Sequence, residues 1–227
     1  MPEAHYLYAI VRGPTPAWQP PARGVDGVAV TPRLLDDLLV LESRLPGVPP
    51  AGPRRLGAHH DVVASALDAD ALLPFPYGVT VADGALLGWL AERRALVDQA
   101  LEQLRGHVEM SVKVLRLDAS VLPEETRLRE IADRLVECAG VTHWRRRTAG
   151  VSGTVAGGVA FLVPRDEVAS FLARIAPVAS RARGLAVVPT GPWPAYSFAP
   201  PLDRRPPVGV DGAEGFEGRL AQGGEPH

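Results

Sequence analysis

Six histidines and a single cysteine, Cys138, are the side chains best suited to metal, nucleophilic or proton-transfer chemistry, and their spacing decides among these uses. His59 and His60 are adjacent near a predicted helix start. Neighbours on a helix point about 100° apart, so the two rings cannot easily share one ion. Neither a His-x3-His spacing nor a nearby carboxylate in a ligand pattern completes a set, and the pair reads as structural, with one ring partly buried. Cys138 and His143 meet across a predicted helix-to-strand turn. A nucleophile also needs an oxyanion hole, and neither a Gly-x-Ser-x-Gly elbow nor a cysteine-protease signature is present. Cys138 is placed near the apolar side of its helix, as a small buried hydrophobe.

Gly150, Gly153, Gly157 and Gly158 make a Gly-rich connection. A phosphate cradle would lead into a helix and be followed by Lys and Ser/Thr. This one leads into a predicted strand, so it reads as a hairpin connection. Glu124, Glu125, Glu130, Asp133 and Glu137 share a predicted helix with Arg127, Arg129 and Arg134, the pattern of a solvated face of i, i+4 pairs. Arg145-Arg146-Arg147 is basic, but Trp144 is the only close aromatic, short of the interleaving a nucleic-acid surface uses. Gly191-Pro192-Trp193-Pro194-Ala195-Tyr196-Ser197-Phe198 is different: three aromatics and two prolines in eight residues. Stiff backbone and large rings suit either a pin between two halves of the molecule or an anchor for a partner.

The elements that position these residues follow from periodicity. Tyr6–Val11 reads as a buried strand, residues 13–24 as a loop and Gly27–Val30 as a second strand. Leu34, Leu35, Leu38, Leu39, Leu41 and Leu45 fit a helical stripe or a hairpin turning at Asp36-Asp37. His59–Ala71 reads as a helix and Leu72–Val79 as extended chain. Asp83 is a candidate cap for a long helix to about Arg105, stopped by Gly106. Val108–Leu117 alternates as a half-buried strand. A helix over Pro123–Cys138, a strand over Val141–Thr148 and a Gly-rich turn over 150–158 follow. A strand over Val159–Val163, a helix over about Asp166–Arg183 and a last strand over Leu185–Val188 complete the pattern. The order βαββαβ is that of a ferredoxin-like sheet with two helices on one face. Beyond Phe198 the composition predicts a disordered tail.

Composition bounds the function. The chain has 227 residues, 46% hydrophobic and 22% charged, with a formal charge of −2 and Lys113 as its only lysine. That balance offers no field for nucleic acid. The sequence shows neither a signal-peptide pattern nor an apolar run near the roughly 20 residues that cross a bilayer. The expectation is a soluble cytoplasmic protein with no membrane, metal or cofactor.

Five motifs in order resemble the gas vesicle protein F/L (GvpF/GvpL) family: Tyr6–Val11, Leu73-Pro74-Phe75-Pro76-Tyr77-Gly78, and Leu101–Glu109 leading into Val112-Lys113-Val114, followed by Ala160–Val163 and Gly191–Phe198. The resemblance implies an α+β fold of two domains, an N-terminal α+β domain with a small sheet and a C-terminal modified ferredoxin-like domain. It also favours the hairpin over residues 28–45. The limits expected are 1–80 for the first domain, 81–106 for a connecting long helix, 107–198 for the second domain and 199–227 for the tail. The role implied is that of an assembly factor, not an enzyme. It would bind the hydrophobic gas vesicle shell protein and other gas vesicle accessory proteins, in the cytoplasm and associated with gas vesicles. Tyr77, Trp193, Tyr196 and Phe198 are the expected partner-binding residues. The sequence departs from the family pattern where Pro76 replaces Arg, Tyr77 replaces Phe, Val79 replaces Thr and Ala195 replaces Pro, and it lacks room for the family's long helical insertion. A small-molecule-binding regulatory protein with a ferredoxin-like domain is the alternative reading, and an enzyme using Cys138, His143 or His59 a third.

Overall fold

The aromatic and β-branched run near the start becomes the central strand β1 (Ala4–Arg12), in a computed structural model that describes residues 3–117, 125–148, 154–181 and 184–202. Tyr6 to Val11 are all buried. β1 pairs antiparallel with β3 (Leu38–Leu45) on one side, and with β4 (Ala71–Pro74) and β5 (Thr80–Ala82) on the other. β2 (Thr31–Leu35) forms the edge beyond β3. The leucine-rich stretch is therefore a hairpin and not a helix. Leu35 faces Leu38 across a two-residue turn, and Asp36 takes the left-handed φ of 54° that a short polar side chain tolerates. The expected strand at Gly27–Val30 is absent. Val25–Gly27 form a single 3-10 turn, because Gly24 N–H bonds Val28 O at 2.8 Å and closes a tight loop.

The first helix, α1, spans Pro53–Ala64 and not His59–Ala71. Pro53 sits at the helix start, where its missing N–H costs nothing, and Ala71 already opens β4. This shift puts both histidines in mid-helix. α2 runs over Leu86–Leu104. Asp83 does not cap it: Ala85 holds the cap position without a side-chain bond, while Asp83 pairs with Arg44, whose guanidinium holds the carboxyl below its ordinary range. Gly106, at φ 66°, turns the chain out of α2.

The second sheet contains β6 (His107–Arg116), β7 (Trp144–Thr148), β8 (Val155–Pro164) and β9 (Leu185–Trp193). Its order is β7-β8-β6-β9, antiparallel throughout. α3 (Glu125–Ala139) and α4 (Val168–Arg181) share one face. Met110, Val112, Val159, Phe161 and Val163 meet Ile131, Leu135, Phe171 and Ile175 there. This is the expected ferredoxin-like arrangement, with several boundaries moved. β7 begins at Trp144, Gly157 and Gly158 belong to β8, and β9 runs on to Trp193. Gly150 and Gly153 lie outside the described residues.

β6 is not half-buried as its alternation predicts, since Glu109 and Ser111 are buried as well. The other face of this sheet, with Ala160 and Leu162, closes onto a core built from β1, β3, β4, α2 and residues 195–202. α1 covers the remaining face of the first sheet, where Val62, Val63 and Ala66 share a core with Tyr6, Tyr8 and Val11. Arg165 ties the two domains. Its Nη2 donates to Leu67 O at 2.7 Å and Ala69 O at 2.8 Å. Residues 203–227, most of the expected tail, lie outside the described residues, and Leu202 at its start is buried.

At Gly158 the sheet leaves no room for a side chain, because an added Cβ would stand 2.7 Å from Val112 O. Gly158→Ala is expected to destabilise the protein by about 1–3 kcal/mol through forced separation of β6 and β8. A urea titration checks this, and an unchanged midpoint would refute it.

Candidate partner interface

The site starts from α1. Adjacent helical residues diverge, so His59 and His60 enter different surroundings. His59 is buried among rings, 5.7 Å from Tyr6, 5.3 Å from Tyr8 and 5.7 Å from Tyr77. Its Nε2–H donates to Phe75 O at 2.9 Å. Nδ1 then accepts from the Tyr6 hydroxyl, also at 2.9 Å. His59 thus ties α1 to β1 and to the end of β4. Burial lowers its pKa from 6.5 to about 4, because a cation there has lost its hydration. The same burial raises the phenol of Tyr6.

A lowered histidine pKa places its stability contribution above the unfolded value. Between pH 6.5 and about 4 the unfolded chain binds the proton that the folded chain refuses. Stability should therefore fall through that window, by on the order of 3 kcal/mol in full. Melting temperature against pH should show this slope, and His59→Gln should flatten it. An equal acid slope in the variant would contradict the assignment.

His60 faces outward. Its ring lies 5.4 Å from Trp193, at the end of β9, and 6.2 Å from Tyr196. Leu56, one turn earlier on α1, is 45% exposed and Trp193 is 40% exposed. A β9 that stopped at Val188 would not carry Trp193 to α1. The longer strand does, because prolines 189 and 192 are tolerated at a sheet edge. Tyr77 is half-buried. Its hydroxyl donates to Pro49 O at 3.0 Å, a bond the phenylalanine of the family pattern lacks, and the exposed Val48 lies against Gly78.

From Pro194 the chain crosses between the domains. Glu109, only 3% exposed, accepts from Ser197 N at 2.8 Å and from Ser197 Oγ at 3.0 Å. Arg147 Nη2 donates to the same carboxylate at 2.7 Å. Burial and the field of Glu109 raise the Tyr196 phenol. Phe198 is 6% exposed and belongs to the core shared by the two domains. Of the expected partner residues, Trp193 and Tyr196 thus come together around His60. Tyr77 joins the His59 cluster, and Phe198 turns inward with little surface left.

The remaining candidates resolve into structure. Cys138 is exposed, not buried: the buried stripe of α3 centres on Ile131, Leu135 and Ala139, and Cys138 lies to one side of it. His143 bonds Thr142 Oγ1 at 3.0 Å. Arg146 pairs with Asp133, and Arg145 lies 5.8 Å over the Phe198 ring. One cluster escaped the sequence reading. Glu42, buried on β3, binds His5 and accepts from Arg33 at 2.8 Å. A buried carboxylate needs such partners, but alternation alone marks Glu42 only as a strand residue. Leu56 was also missed, and His60 was read only as one of a structural pair, although their i, i+4 spacing is readable once the helix starts at Pro53. Among the described residues no three His, Cys, Asp or Glu side chains group as a metal site, and no helix is long and apolar enough to cross a membrane.

Comparison with known proteins accounts for this architecture. The fold matches the crystal structure of the gas vesicle protein GvpF from Anabaena sp. PCC7120 with a TM-score of 0.71 at 19% identity, over 87% of this chain and 96% of that one. It matches GvpF from Microcystis aeruginosa with a TM-score of 0.68 at 16% identity, over 87% and 99%. No curated protein sequence matches the chain. The profile of the family described as gas vesicle synthesis protein GvpL/GvpF matches residues 4–152 and 124–200. With most of its length matched and the same two-domain α+β fold, the chain belongs to the gas vesicle synthesis protein GvpL/GvpF family.

Proposed function

We propose that this protein is a non-enzymatic assembly factor that binds the hydrophobic gas vesicle shell protein, or other gas vesicle accessory proteins, in the cytoplasm and keeps the shell protein from aggregating before incorporation. An aggregation-prone subunit needs a partner that covers its apolar surface until it is built in. The supporting observation is the pair of exposed apolar side chains at the domain junction, Trp193, which meets His60 edge-on, and Leu56, one turn before His60 on α1. Tyr196 and the separate Tyr77–Val48 surface extend the candidate area, while Phe198 is buried in the core between the domains. Aromatic anchors of this kind carry most of the energy at interfaces. The small-molecule reading gains no support from the open cavity of about 560 Å³ at the start of α1, which lies on the first domain and not on the ferredoxin-like one. The test is co-expression with the shell protein followed by sedimentation. The expected result is a soluble complex containing both chains. Identical pelleting of the shell protein with and without this chain would overturn the reading.

A further inference from the structure

The start of α1 runs against the rules that stabilise a helix N-terminus. Gly52 holds the cap position without a side-chain bond, and the first turn carries no acidic residue. Arg54 and Arg55 stand there instead, where a cation opposes the helix dipole. The first ladder bond runs from Leu56 N–H to Gly52 O at 2.9 Å, so the amides of Arg54 and Arg55 have no partner within the helix. α1 is held by Val62 and Val63 in the core and not by its first turn. Proteins break such local rules chiefly at functional sites.

The cavity of about 560 Å³ opens at this turn, between Asp26 and Gly27 on one side and Pro53, Arg54, Arg55 and Ala58 on the other. Asp26 is the one carboxylate among its lining residues, and Arg55 Nε already bonds it at 2.7 Å. Arg23 stands at the rim with a neutral partner, since its Nη1 donates to Gly27 O at 2.8 Å. Arg54 is exposed, and among the described residues it makes neither an ion pair nor a hydrogen bond. Three cations thus meet one carboxylate beside the positive end of a helix, and the cavity between them has apolar walls at Pro53 and Ala58. Its complement is an acidic segment with an apolar side chain.

The chain carries such a segment outside the described residues. Asp211-Gly212-Ala213-Glu214-Gly215-Phe216-Glu217 holds three carboxylates and no cation, and Phe216 is the one aromatic after Phe198. The reach is sufficient. Leu202 and Tyr196 line one small cavity, Tyr196 lies 6.2 Å from His60, and Arg54 is six residues earlier on α1. That path is roughly 25 Å, against about 40 Å for twelve extended residues from Leu202 to Glu214. We propose that the cavity at the start of α1 is a docking site for residues 211–217 of the same chain, with the Phe216 ring in the cavity and the carboxylates of Glu214 and Glu217 on Arg54 and the first-turn amides. Docking of this segment is independent of the shell-protein reading.

The test is amide hydrogen exchange at Arg54 and Arg55, measured by NMR in the full chain. Left uncovered, both amides exchange near the rate of an unstructured chain, because no helix bond holds them. Docking should slow both by at least tenfold. The triple variant Glu214→Gln, Phe216→Ala, Glu217→Gln should return them to the fast rate. Arg54→Glu should do the same at Arg55, and an acid at that position favours the helix, so the lost protection is not lost helix. A synthetic peptide of residues 210–220 added to the triple variant should restore the slow rate, and the same peptide with Phe216→Ser should not. Fast exchange in the native chain, or equal protection in the triple variant, would overturn the proposal. Protection that disappears on dilution would put the segment of a second copy in the cavity and overturn docking within one chain.

Discussion

Phe198→Ala should cost about 3–5 kcal/mol of stability, the usual range for emptying a buried phenylalanine site. Phe198 is nearly inaccessible and shares one core with Phe75 of the first domain and Leu162 of the second. The loss should fall on the junction, so the urea transition should both shift to lower concentration and broaden as the domains uncouple. A shift below about 1 kcal/mol would mean that the site collapses freely and that Phe198 is not the pin.

Trp193→Ala, five residues earlier, should behave in the opposite way. Trp193 ends β9 on the protein surface and touches His60 edge-on. Its removal takes little from the core, and the melting temperature should move by only a few degrees, as for a change near 1 kcal/mol. Capture of the shell protein should weaken by about thirtyfold or more, the cost of losing a central aromatic anchor of about 2 kcal/mol. Affinity capture from purified components reads this directly. Undiminished capture would remove Trp193 from the interface, and a large drop in melting temperature would show that it acts as core.

Much of this architecture is legible in the residues because local chemistry and tertiary demand agree. Tyr6–Val11 can only be a buried strand, and the alternation of β6 and β8 with two amphipathic helices dictates the βαββαβ order. The failures occur where one pattern fits two registers or where a distant element decides. Val62, Val63 and Ala66 support a helix beginning at His59 as well as one beginning at Pro53, and only Pro53 at the first turn separates them. Pro189 and Pro192 argue against a strand unless β9 is known to be an edge. Glu109 and Ser111 read as the solvent face of β6, because alternation distinguishes two faces without saying what covers each. That cover is the opposite domain and the chain around Ser197, some 90 residues away in sequence. The aromatic segment was visible as an unusual cluster. Its division into an exposed tryptophan and a buried phenylalanine is a property of the packed junction.

The most direct measurement of the central claim is light scattering of the shell protein diluted out of denaturant into rising concentrations of this chain. The account predicts that scattering falls to the buffer level near a fixed stoichiometric ratio, and that Trp193→Ala moves that point to higher concentration. Scattering that is the same at every ratio, with the chain folded throughout, would contradict it.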